Sequence, residues 1–417
     1  MHYLLQKIKT EKGNLFSIGT TSVVSIAASF IMMLAFANLL DQRTLGVYQY
    51  IIATASIIGS FSFTGMGIAI VRAIGKQSYD FLLIARRYLW YGSVLPISIG
   101  LTISGYYLYK TNYELSLGIF FSVIFITFAQ VFIRHNSIYV AIEQFKISNY
   151  LIKARSLAPV IFVLPALFFM QHVEVLAMLY FGGSMVTIIV TGFFLKMPQK
   201  EKELIAKHVD KNTVKKRGWD SFYLRFATHQ SVINAINSSV MHLDKIVIFQ
   251  MLGAQQTAIY FIAVSIPDRL RSLINQFEPY LFSKFTKHSR KATQLSMPLK
   301  MIVMLLAITP FFIFYVFLAP FLFSLLLPQY VQAIPLSIIY AFTLFVSVII
   351  IPQASLKAHA NSRIFYILST CNIFTRLLFL LFGIMWFGLL GAIIGATLTL
   401  VIYTITNYLA AVHIHKN

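Results

Sequence analysis

The fold class this sequence predicts is an all-α polytopic membrane protein: twelve transmembrane helices in two six-helix lobes, both termini cytoplasmic. Three observations predict it. The chain of 417 residues is 58% hydrophobic and only 11% charged, with a mean hydropathy of +0.76. Apolar runs of about 20 residues recur along its whole length, enough to cross a hydrocarbon core ~30 Å thick. Lys and Arg gather in alternate connections between those runs. A transmembrane barrel would instead show alternating segments of about 10 residues.

The runs place spans at 15–39, 47–72, 84–108, 113–134, 151–171, 174–195, 221–252, 258–283, 298–323, 332–356, 362–385 and 388–412. The first is too long for a signal-peptide core, and no small-residue cleavage site follows it. Lys7, Lys9 and Lys12 precede it, and Lys416 follows the last span. Even connections hold Arg72, Lys76, Arg86 and Arg87, then Arg134, Lys146, Lys153 and Arg155. Further along they hold Lys196 through Arg217 with Arg225, then Lys284, Lys287, Arg290, Lys291 and Lys300, then Lys357 and Arg363. Odd connections hold only Arg43 and Lys110. Cytoplasmic loops carry the Lys/Arg excess, so the even connections and both tails face the cytoplasm.

This distribution also narrows the function. A net charge of +21 would suit nucleic acid in a soluble protein, but here it marks the inner face of a bilayer, and no nucleic-acid partner is expected. The single cysteine, Cys371, lies in an apolar helix, so neither a disulfide framework nor a Cys metal site is expected. No H-E-x-x-H and no G-x-x-x-x-G-K-[ST] occurs. The outer connections are a few residues long and hold no paired carboxylates, which argues against an enzyme.

Residues 1–197 form the expected first lobe and 218–417 the second. Between them lies a basic cytoplasmic linker, 198–217, read either as a solvated connection touching anionic headgroups or as a regulatory segment. The lobes look related. Leu40-Asp41-Gln42-Arg43-Thr44-Leu45-Gly46-Val47-Tyr48 aligns at a constant offset with Leu252-Gly253-Ala254-Gln255-Gln256-Thr257-Ala258-Ile259-Tyr260. Six spans per half make this a parallel repeat, a common transporter plan with the substrate site at the repeat interface.

The candidate site lies in the second half. In span eight, Ile262, Ile266, Leu270, Leu273, Ile274 and Phe277 share one helical face, while Ser265, Asp268, Arg271, Ser272, Asn275 and Glu278 share the other. Arg269 and Gln276 lie along an edge. A helix half charged at membrane depth has to face a hydrated cavity or protein. Span seven carries a stripe of Gln230, Asn234, Asn237, Ser238, Asp244 and Lys245, and span eleven adds Ser369, Asn372 and Arg376. Counting back and forward from the turn near Gly253, Asp244 and Lys245 lie at the depth of Asp268 to Arg271. Four cations (Lys245, Arg269, Arg271, Arg376) face two anions (Asp244, Asp268).

Two readings follow. The groups either pair to hold helices together, Lys245 with Asp268 for example, or line a cavity that attracts an anion. Pairing neutralises only two cations, and a lone mid-membrane Arg costs roughly 2.5–3.5 kcal/mol on the lenient scale. Arg suits phosphate because its planar fork binds oxyanions at two points. Lys245, Arg269, Arg271, Arg376, Asn234 and Asn237 are therefore the expected substrate-binding residues. Asp244, Asp268 and Glu278 would tune the charge or carry a coupling proton. Arg269 and Arg271 lie about 160° apart on the helix, and Arg271 is preferred for the ligand. Prolines such as Pro267, Pro279, Pro310, Pro320, Pro335 and Pro352 supply kinks, static or mobile. His229 and His242 read as pore or packing residues, and Gly391-x-x-x-Gly395 as close helix packing.

Leu243-Asp244-Lys245-Ile246-Val247-Ile248, running into Leu252-Gly253 and Ile259-Tyr260, resembles the seventh-to-eighth span signature of bacterial polysaccharide repeat-unit flippases of the Wzx type. These belong to the superfamily that includes the MATE multidrug exporters. Leu318-Ala319-Pro320 through Leu327-Pro328-Gln329-Tyr330 and Ala333 resembles the ninth-to-tenth junction. Phe387-Gly388-Leu389-Leu390-Gly391-Ala392 resembles the start of the last span, and Gly65-Met66-Gly67 through Arg72 the second. Ala258 and Pro328 stand where the family usually has glycine. The resemblance implies a V-shaped, MATE-like transporter of the bacterial inner membrane, working as a monomer by alternating access. It would move undecaprenyl-diphosphate-linked oligosaccharide between leaflets for O-antigen or capsule synthesis. No cofactor is implied beyond a coupling ion, H+ or Na+; a polysaccharide polymerase and a chain-length regulator would be partners. A MATE-like exporter of cationic drugs is the alternative.

Overall fold

Helix is the only regular structure among the described residues, which in this computed structural model are 2–208, 222–275, 278, 281, 285, 290–359 and 362–413. Residues 209–221, covering much of the expected linker, lie outside them, as do Pro279 and Lys416. Among the described residues, eight stretches are long and apolar enough to cross a membrane.

Two compact units emerge, Met1–Leu40 with Ile51–Ser238, and Asp41–Tyr50 with Ser239–Asn417. In the first, α1 (His2–Leu39) packs on α7 (Phe145–Phe169), and α7 on α8 (Val173–Phe194). The long α6 (Tyr113–Ala141) packs against α3 (Met66–Gly75), α5 (Val94–Tyr109) and α8. Asn112 starts α6 by accepting the Leu115 amide at 3.1 Å, with Glu114 favourably placed at the positive end of the helix dipole. The expected second span is broken into α2 (Gln42–Ser60) and α3, and the third into α4 (Phe81–Tyr91) and α5.

The units divide within two helices, α2 and α10 (Phe222–Leu252). Packing explains the division on the α10 side. Leu224 and Ala227 of α10 are buried in an apolar core with Met66, Ile70, Phe81 and Leu82 of the first unit. Ser231 Oγ also accepts the Gly65 amide at 2.9 Å. The linker itself begins as a helix, α9 (Met197–His208), and is not wholly solvated. Its Glu201 is buried beside α6, 3.5 Å from Arg134 Nε and 3.0 Å from His135 Nε2. Burial pushes the Glu201 carboxyl up, but the His135 contact and the Arg134 charge outweigh it and hold the pKa below the ordinary value.

In the second unit, α11 (Ala254–Asn275) packs on α13 (Ile334–Ala341), on the short α14 (Thr343–Val346) and on the 3-10 turn Pro328–Ala333. That turn connects to the proline-rich α12 (Arg290–Leu326). α15 (Ile350–His359) leads to α16 (Ser362–His413), 52 residues folded at Gly388, whose φ of 57° favours glycine. The fold there brings the Gly391 backbone onto Gly383 and Gly395 onto Phe379, so α16 is two segments packed back on each other. Gly46 of α2 lies directly against the Ala254 carbonyl, where a side chain would not fit.

Candidate functional site: a charged cavity in the second unit

The polar face of α11 opens on a cavity of about 310 Å³. Asp244, Lys245, Asp268, Arg269 and Arg376 all line it, together with His242, Tyr260, Phe261 and Tyr340. Side chains of α10, α11 and α16 meet across it, Arg376 and Tyr260 on Asp244. These five groups thus come together around one cavity.

Its pairing differs from the example offered by the sequence. Asp244 pairs with Arg376 of α16, whose Nε donates to Oδ1 at 2.7 Å and whose Nη2 donates to Oδ2. Tyr260 donates a third hydrogen bond to Asp244 Oδ2 at 2.6 Å. Both charges are buried, at 3% and 6% exposure, so this fork is a satisfied internal pair. Lys245 forms no ion pair among the described residues. Its ammonium donates to Gln49 Oε1 at 2.9 Å and sits 4.8 Å from the centre of the Phe261 ring. Asp268 is half exposed, accepts from the Tyr340 hydroxyl at 3.0 Å and lies 3.7 Å from Arg271 Nη2.

Arg269, at the edge of the predicted polar face, is the arginine of α11 that lines the cavity. Its Nη1 donates to the Ser265 carbonyl at 2.7 Å, one turn back. Arg271 points instead toward Asp268 beside the cavity, with Nη1 buried and lacking a hydrogen bond. Asn234 belongs to the first unit, bonding Gln230 at 3.1 Å and Thr64 at 3.3 Å, and Asn237 is exposed there. Glu278 lies beyond the lining residues.

The polar-stripe reasoning missed Gln49, Tyr260 and Tyr340. Tyrosine counts as apolar in periodicity, and Gln49 lies far away in sequence. Only Tyr260 carried a signal, in the internal repeat. Chemically, the lining holds three cations against two carboxylates, with Arg376 already spent on Asp244.

No family model and no curated protein matches this chain. Solved structures do resemble it over nearly its whole length. A MOP superfamily transporter from Pyrococcus furiosus, described as having a binding pocket of reverse polarity that suggests a different function, aligns with a TM-score of 0.63 at 14% identity. That alignment covers 96% of this chain and 95% of the other. A multidrug resistance MATE family transporter of the same superfamily is similar in its inward-facing conformation, with TM-score 0.64, 13% identity, and 95% and 94% of the two chains covered. A multidrug resistance MATE family transporter in an outward-facing conformation gives 0.62, 14%, 97% and 96%. At such identities the likeness establishes the fold alone.

Proposed function

From this fold and cavity, we propose that the chain is a membrane transporter that flips an anionic, lipid-linked oligosaccharide, an undecaprenyl-diphosphate-linked repeat unit, from the cytoplasmic to the periplasmic leaflet. The observation that carries this reading is the cationic cavity, in which Lys245 has no carboxylate within ion-pair distance among the described residues and Arg269 lines the wall beside it. A diphosphate offers oxyanions to both cations, and an arginine fork grips them at two points. The likeness to one transporter fold in both inward- and outward-facing states supports alternating access. Asp268, half exposed beside Tyr340 and Arg271, is the carboxylate placed to carry a coupling ion, H+ or Na+. Nothing in this mechanism requires bond-making chemistry by the protein.

The experiment is genetic and biochemical. Deleting the gene is expected to abolish surface polysaccharide while lipid-linked units accumulate inside. Normal surface polymer in a strain without a second flippase overturns the reading. The second reading is a MATE-like multidrug exporter, favoured by the description of the similar MATE structures. It predicts drug resistance on overexpression, whereas a cavity with an excess of cations disfavours cationic drugs.

A further inference from the structure

The opposite face of α11 borders a second and larger cavity, a groove of about 900 Å³ between α11 and α12. These two helices make little close backbone contact with each other, and apolar side chains line the gap. Ile266, Leu270, Leu273 and Ile274 form one wall, and α12 from Leu299 to Leu322 forms the other. At 1.5 Å per residue that stretch of α12 runs ~35 Å, about the depth of a hydrocarbon core.

Among the described lining residues only two carry polar N or O atoms on their side chains. The Tyr315 hydroxyl is engaged with Ser337 Oγ at 2.6 Å. Lys300 lies at one end of the groove and bonds Ser296 Oγ at 2.8 Å. The length between is free of any group that a hydrocarbon would have to desolvate. Against lipid, the gain from seating a chain there comes from fit alone.

The two cavities share a helix. Asp268, Arg269 and Ser272 face the charged one, while Ile266, Leu270 and Leu273 face the apolar one. A helix is ~10–12 Å across, so a charged head and a long chain would lie on either side of a single rod. Pro267, which removes a backbone hydrogen bond, lies between Ile266 of the apolar lining and Asp268 of the charged one.

We propose that this groove binds the hydrocarbon chain of the same anionic lipid whose head enters the charged cavity. The inference rests on the flippase reading above and adds a chain subsite to it. Chain occupancy in the groove then depends on the head contacts at Lys245 and Arg269, which ordinary membrane lipid does not need.

The test uses the full chain reconstituted in phospholipid vesicles. One arm carries a diazirine-bearing long-chain polyprenyl diphosphate and the other a diazirine-bearing phosphatidylglycerol, with labelled residues mapped by mass spectrometry. Labelling of 299–322 by the polyprenyl probe is expected to fall several-fold in Arg269→Ala and in Lys245→Ala, while phosphatidylglycerol labelling stays constant. Equal labelling by both probes, indifferent to either substitution, overturns the proposal and leaves ordinary boundary lipid. So does an absence of polyprenyl label in this stretch. Flipping of a glycan-bearing polyprenyl diphosphate is followed in the same vesicles. Flipping with label indifferent to Arg269 removes the groove alone. Label that follows Arg269 without flipping removes the flippase reading and leaves the groove.

Discussion

Arg376 holds Asp244 with two guanidinium nitrogens while Tyr260 donates to the same carboxylate, all inside the second unit. This pair serves the structure of the cavity wall, because each buried charge is met by the other. Removing one partner of a buried pair strands the other charge, at a cost of about 3–5 kcal/mol. Arg376→Ala is therefore expected to lower thermal stability in detergent sharply. The neutral double variant Asp244→Asn with Arg376→Gln should recover much of it, since no charge is stranded. A stable Arg376→Ala protein with weakened ligand binding would make Arg376 a ligand residue instead.

Lys245 and Arg269 give the opposite expectation. Charged hydrogen bonds are worth about 1.5–3 kcal/mol, so Arg269→Ala should weaken binding of an anionic head roughly tenfold or more with little change in stability. Arg271→Ala should cost less binding, since Arg271 sits beside the cavity on Asp268. Titration of a soluble diphosphate analogue by calorimetry ranks the two. A larger loss from Arg271→Ala would reverse the assignment made from the lining.

Why the ranking differs from the sequence expectation is instructive. Helical projection places residues around one helix and at one depth, and it located Asp244, Lys245, Asp268, Arg269 and Arg376 as a group. It does not say how that helix is rotated against its neighbours. Arg269 looked like an edge residue until the positions of Tyr260 and Arg376 defined which edge faces the space. The partner of Asp244 comes from a helix 132 residues away, and no local pattern encodes it. Long apolar runs such as 113–134 were legible because length and hydropathy suffice for them. The interruptions at 61–65 and at Gly92-Ser93 were not, since polar or small residues within an apolar run leave its mean hydropathy nearly unchanged. Glu201 was hidden for a further reason, because a charged residue in a basic stretch reads as solvated until its partners Arg134 and His135 are placed.

That last contact carries a pH dependence with a definite sign. The folded pKa of Glu201 is depressed, with burial opposing and the His135 and Arg134 contacts prevailing. Its ionised form therefore stabilises the docking of α9 at any pH above the ordinary Glu value of about 4.3. The contribution disappears as pH falls through the depressed value below that. Limited proteolysis of 197–208 with an acid-active protease should accelerate on acidification in the wild type. Glu201→Gln should show the accelerated rate already at neutral pH. Equal protection of the two proteins at neutral pH would mean that α9 is held by its apolar residues alone.

Gly46 offers the last prediction, at the start of α2 where it meets the start of α11. A methyl group placed there would overlap the Ala254 backbone carbonyl, and a carbonyl in a helix cannot rotate away as a flexible side chain can. Overpacking of this kind costs about 1–3 kcal/mol, and here the strain falls on α11. Displacing that helix start would also disturb the hydrogen bond from Gln255 Nε2 to Gln42 Oε1 at 2.9 Å. Gly46→Ala is thus expected to lower thermal stability, and Gly46→Leu to lower it more. Thr44→Ala, two residues earlier, removes the hydroxyl that donates to Asp41 and leaves no clash, so its effect should stay near 1 kcal/mol, the worth of one hydrogen bond. If Gly46→Leu proves no worse than Thr44→Ala, the approach of α2 to α11 is looser in the membrane than the Gly46 contact implies.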